Sequence, residues 1–94
     1  MTNPIKLIIA DDEMLIRTGL KIMLEASGNV EVLALAESGR AAFEACKEHQ
    51  PDVVLMDIRM PESNGIEGTK LIKEAFPEVK VLIVTTFQYT EYIV

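Results

Sequence analysis

The sequence predicts an α/β domain built on a parallel sheet, and three observations carry that expectation. Short, β-branched apolar runs alternate with longer stretches of helical period. The short runs are nearly continuous in apolar character, as befits strands covered on both faces. Acidic residues and threonines stand directly after these runs, where an open α/β sheet receives its ligands.

The first strand is expected over Lys6 to Ala10 (KLIIA). In the helix that follows, Met14, Leu15, Thr18, Ile22 and Leu24 are read as a broad apolar face, and Ser27, Gly28 and Asn29 stop it. A second strand covers Glu31 to Ala36. Ser38 then caps a helix from Gly39 to His49, with Pro51 ending the connection. The third strand runs from Asp52 to Met56. Beyond it lies the loop Arg59-Met60-Pro61-Glu62-Ser63-Asn64-Gly65, stiffened by Pro61 and turned at Asn64-Gly65. Ile66, Leu71, Ile72, Ala75 and Phe76 supply a third helix closed by Pro77. Lys80 to Val84 forms the fourth strand, and Phe87 to Val94 begins a fourth helix. Right-handed crossovers place helices on both faces of such a sheet.

Ninety-four residues suffice for one domain, whose single core is marginal at this size. A composition of 49% hydrophobic and 26% charged residues fits a globular chain. The apolar runs LIIA and VLALA are too short to span a bilayer, so no membrane is expected. The start MTNPIKLIIADD lacks the pattern of a signal peptide, and the single Cys46 has no cysteine partner within the chain. Both observations suit the cytoplasm. Cys46 lies in the amphipathic stretch AAFEACKEH and is read as a packing residue. A net charge of -6 argues against nucleic-acid binding by this surface.

The acids are the chemically informative residues. Asp11 and Asp12 follow the first strand, Asp57 the third, and Thr85 and Thr86 the fourth. If the first and third strands are neighbours, three carboxylates and a hydroxyl converge in one crevice. Clustered carboxylates repel unless a cation compensates, and an oxygen-rich set without histidine or cysteine suits magnesium. Asp57, at the end of DVVLMD, could then act as a nucleophile toward phosphorus, with Thr85 donating to a transferring oxygen. Each residue alone also has a plainer reading. Asp11-Asp12 would be a turn and helix cap, Asp57 a solvated acid, and Thr85 a strand residue or cap. Their joint placement after alternate strands favours the chemical one. His49 is read as a solvated or dipole-facing residue at a helix end, and the arginines and lysines as solvated helix faces.

The segments IIADDE, DVVLMDIRMPESNG and KVLIVTTF, in this order, resemble the receiver domain of two-component response regulators across essentially the whole chain. The resemblance implies a flavodoxin-like three-layer sandwich with strand order 2-1-3-4-5. Residues 1–94 would be the N-terminal portion of that domain, short of its fifth strand and fifth helix. It also implies that Asp57 is the phosphoacceptor. Mg2+ would be held by Asp12, Asp11, Asp57 and the main-chain carbonyl of Arg59, with Thr85 contacting the phosphoryl group. A sensor histidine kinase would supply that group. The receiver would catalyse its own phosphorylation and dephosphorylation without being a turnover enzyme, and Arg59 and Phe87 would border the path of the hydrolytic water.

The first helix, EMLIRTGLKIMLE, together with VTTF, resembles the branch carrying a helix-turn-helix output domain. DNA would then be bound only through that output domain. The family's fifth-strand lysine and nearby aromatic switch residue have no counterpart among these residues. An uncovered fourth strand would in turn favour a homodimer or domain-swapped self-association. Two other readings stand beside this one. An aspartyl-nucleophile phosphohydrolase commonly has a second aspartate two residues after the nucleophile, where this chain has Arg59. A phosphorylation-defective interaction or dimerisation module would have no need of the acids.

Overall fold

In the computed structural model the described residues are 3–57 and 65–84. They run in the order β1 (Ile5–Ala10), α1 (Met14–Ala26), β2 (Val30–Ala36), α2 (Gly39–His49), β3 (Val53–Asp57), α3 (Gly65–Ala75) and β4 (Lys80–Val84). All pairings are parallel, and the strand order is β2-β1-β3-β4. This is the flavodoxin-like α/β sandwich with a parallel sheet, here as four strands and three helices. The loop at 59–64 and the expected helix from Phe87 to Val94 lie outside the described residues.

The two-residue period of a strand divides β1 between two cores. Ile8 and Ala10 join Val54, Met56, Ala42, Cys46 and Ile72 beneath α2 and α3. Leu7 and Ile9 join Val32 on the opposite face, where Leu20 and Leu24 of α1 close over them. Cys46 is a packing residue: it is buried, and loss of water pushes its thiol up to about 11.

Local signals set the element ends. The Ser38 side chain accepts from the Ala41 amide and caps α2, while Gln50 adopts a left-handed conformation at the other end. Gly28 turns the chain out of α1 with φ +83. Helices α2 and α3 cross closely because Gly68 has no side chain: a Cβ there would lie 2.6 Å from Gly39 Cα. Asp52, expected to open the third strand, instead precedes it. Its carboxylate accepts from the Lys6 amide at 2.9 Å and its carbonyl from the Lys80 amide at 3.1 Å, tying the starts of β1 and β4 together.

Two expectations about packing are corrected. In α1, Leu15 is 85% exposed, and Met14, Thr18 and Ile22 are also outward, so of the expected face Leu24 alone packs inward, together with Leu20, both partly buried. A helix with apolar residues on most of its circumference cannot be phased from periodicity alone. The fourth strand is not covered on both faces either, since Leu82 and Ile83 are exposed. Among the described residues no helix is long and apolar enough to cross a membrane.

Candidate functional site

Strands β1 and β3 are neighbours, and their carboxyl ends lie level. Ala10 pairs with Met56, so the next residue on each strand is an aspartate: Asp11 beside Asp57. Asp57 is also in register with Val84 of β4, and the Asp11 amide donates to the Ala36 carbonyl of β2 at 3.0 Å. Hydrogen bonding to flanking strands therefore fixes the backbone beneath both acids. Their side chains are buried, 2% exposed for Asp11 and 4% for Asp57, while Asp12 is exposed. One carboxylate oxygen from each of the three lies within 4.8 Å of the others.

Asp11 has a second task. Its Oδ1 accepts from the Glu13 amide at 2.8 Å, closing the turn that leads into α1. The N-cap residue Glu13 makes no side-chain cap of its own. The plain reading of the aspartate pair as a turn and the chemical reading as a site thus apply to the same residue. Arg17, expected on a solvated face, is half-buried, and its Nη1 donates to the Asp11 carbonyl at 2.8 Å. Sequence reasoning passed over it because six residues separate the two and neither periodicity nor charge order marks the contact.

Burial raises the Asp11 carboxyl to about 6, against the pull of the Glu13 amide. The charge on Asp57, a hydrogen bond with Asp57 and the charge on Asp12 push it further in the same direction. Such a cluster is relieved by a proton or a cation. All three ligand atoms are carboxylate oxygens, and two of them are shielded from water, a donor set that fits a divalent hard cation. His49 and Cys46 take no part. His49 sits in the last turn of α2, 3.6 Å from Glu48, and Cys46 lies in the core. Thr85, Arg59 and Phe87 lie outside the described residues.

A family model described as the response regulator receiver domain matches residues 7–94. The chain belongs to that family. It is 55% identical over 84 residues to the transcriptional regulatory protein LnrK of Bacillus subtilis (strain 168), a match covering 89% of this chain and 38% of the relative. Among solved structures, it resembles the response regulator domain of Thermotoga maritima CheB with TM-score 0.83 and 36% identity, covering 88% of this chain and 61% of that one. A DNA-binding response regulator of the LuxR family from Staphylococcus aureus aligns with TM-score 0.80 and 35% identity, over 95% of this chain and 74% of the other. The chain spans 38% to 41% of the length of the curated relatives it matches.

Proposed function

We propose that residues 1–94 are the N-terminal portion of a receiver domain that takes a phosphoryl group from a sensor histidine kinase onto Asp57, with Mg2+ held by Asp12, Asp11 and Asp57. The observation that carries this reading is the convergence of three carboxylates, within 4.8 Å, at the carboxyl ends of adjacent strands. Asp57 suits the nucleophile's role because it is buried and its backbone is held between β1 and β4. Asp12 is exposed, leaving room for the water ligands that magnesium retains.

In the transfer, a carboxylate oxygen of Asp57 bonds to phosphorus as the phosphorus–nitrogen bond to the donor imidazole breaks. The imidazole keeps that electron pair and takes up a proton. Mg2+, when bound, neutralises charge on the transferring oxygens. Hydrolysis reverses the state: water adds to phosphorus, inorganic phosphate leaves, and the Asp57 carboxylate is restored. By the family pattern Thr85 would donate to a phosphoryl oxygen, and the Arg59 carbonyl would join the aspartates in holding the metal.

The names of two relatives, a transcriptional regulatory protein and a DNA-binding response regulator, support a downstream role in transcription. The receiver would switch a DNA-binding transcription regulator in the cytoplasm through an output domain. With a net charge of -6, DNA contact is assigned to that domain rather than to this surface. Intact mass after incubation with a small phosphodonor and Mg2+ tests the chemistry. One acid-stable, base-labile adduct, lost in Asp57→Asn and without Mg2+, is expected. An adduct that persists in Asp57→Asn rejects the assignment, and steady release beyond one equivalent from a small phosphate ester would favour a phosphohydrolase.

A further inference from the structure

We infer that Arg17 is a positioning residue for the acidic site: through the main-chain carbonyl of Asp11, it holds the turn that aims Asp11 and Asp12 toward Asp57. This rests on the reading of the three carboxylates as a cation and phosphoryl site.

The turn from Asp11 to Glu13 is tied at several points. The Asp11 amide donates to the Ala36 carbonyl at 3.0 Å, and the Glu13 amide to Asp11 Oδ1 at 2.8 Å. The group between these ties is the carbonyl of the peptide joining Asp11 to Asp12, and Arg17 Nη1 binds it at 2.8 Å. Arg17 also donates its own amide to the Glu13 carbonyl at 3.0 Å. One residue therefore grips the turn at both ends, by main chain and by side chain.

The carbonyl bond matters most for Asp12. Rotation about the Asp11 Cα–C bond swings the Asp11–Asp12 peptide and moves the Asp12 Cα with it. Asp12 is exposed, so its direction comes from this backbone rather than from packing. Repulsion among the three carboxylates pushes toward such a rotation whenever a cation is not there to offset it. A charge-assisted bond to the carbonyl opposes it.

The guanidinium is committed to this task. Ion pairs among the described residues use Lys21, Arg40, Lys47 and His49, not Arg17. An arginine also suits the contact better than a lysine, because its fork is planar and less strongly hydrated than an ammonium.

The test compares the intact protein with Arg17→Met and Arg17→Lys, reading Mg2+ affinity by calorimetry and the Glu13 amide resonance by NMR. Arg17→Met should weaken Mg2+ binding roughly tenfold, as loss of a group that orients a metal ligand does, and should shift the Glu13 resonance. Arg17→Lys should recover part of both. Unchanged affinity and resonance in Arg17→Met would overturn the inference, as would a lower melting temperature with affinity intact. If Arg17→Met does not fold, Arg17→Lys decides, and native affinity in it overturns the proposal. Phosphoryl uptake separates the two readings. A parent whose Mg2+ affinity depends on Arg17 but which forms no adduct rejects the phosphoacceptor role and keeps the positioning one. An Arg17→Met variant that matches the parent's adduct formation at every Mg2+ concentration does the reverse.

Discussion

Asp11 and Asp57 each stand one residue past the Ala10–Met56 pair, so two buried carboxylates meet across the boundary of adjacent parallel strands. A sheet that lacked a use for them would place apolar residues there, since burying like charges side by side costs stability. The consequence is visible in Asp11, whose carboxyl is raised to about 6, first by burial and then by its acidic neighbours.

The raised value fixes the sign of a pH effect. Between about pH 4 and 6 the folded protein retains a proton on Asp11 that the unfolded chain has released. This group's contribution to stability is therefore present below that window and lost as pH rises through it. Glu25, pulled below its ordinary value by the Val32 amide and Lys21, contributes the opposite slope. Asp11→Asn isolates the difference. Without divalent cations, the denaturant midpoint of the parent should fall relative to Asp11→Asn between pH 4 and 6, and superimposable profiles would contradict this.

A cation competes with that proton. Mg2+ affinity should rise with pH up to about 6 and then level, with proton release detectable by calorimetry in buffers of different ionisation enthalpy. Asp57→Asn removes one of the clustered charges, so in the absence of Mg2+ it should be more stable than the parent by on the order of 1 kcal/mol of unfolding free energy. Mg2+ should then raise the melting temperature of the parent and leave Asp57→Asn nearly unchanged.

Helix α1 shows where a sequence is and is not legible. Its existence and ends were readable from the Ser27-Gly28-Asn29 stop and the acids before Met14, because these are local signals. Its inward face was not readable, because apolar residues occur nearly all round and tertiary contact alone chooses among them. Leu20 and Leu24 face the sheet while Leu15 and Ile22 face out. The site divides in the same way. The acids after β1 and β3 were visible at once, and the strand order brought them together. The Arg17 contact depends on a folded turn and left no mark in spacing. Leu24→Ala should accordingly cost about 1–3 kcal/mol, and Leu15→Ser less than about 0.5 kcal/mol, by denaturant unfolding.

The crossing of α2 and α3 depends on the absence of a side chain at Gly68. A methyl there would meet Gly39 Cα at 2.6 Å and its carbonyl at 2.7 Å, and backbone atoms cannot swing aside as a side chain can. Gly68→Ala gains helix propensity of about 1 kcal/mol but forces the helices apart at an overpacking cost of about 1–3 kcal/mol. The expected net result is a lower melting temperature. Gly19, with nothing within 4 Å, is the matched control: Gly19→Ala should be neutral or stabilising.

The edge at β4 has the opposite problem of too little contact. Among the described residues β4 pairs with β3 on one side alone. Leu82, in register with Leu55, is 57% exposed on the face that α1 covers elsewhere, and Ile83, in register with Met56, is 45% exposed on the other. An edge that is apolar on both faces and carries unpaired main-chain groups is a template for another strand. The 94-residue chain by itself should therefore self-associate, with a sedimentation coefficient that rises with concentration. Placing charge on both faces, as Leu82→Lys with Ile83→Lys, should return it to monomer. A parent chain that stays monomeric across the accessible concentration range would show that the exposed strand is tolerated without a partner.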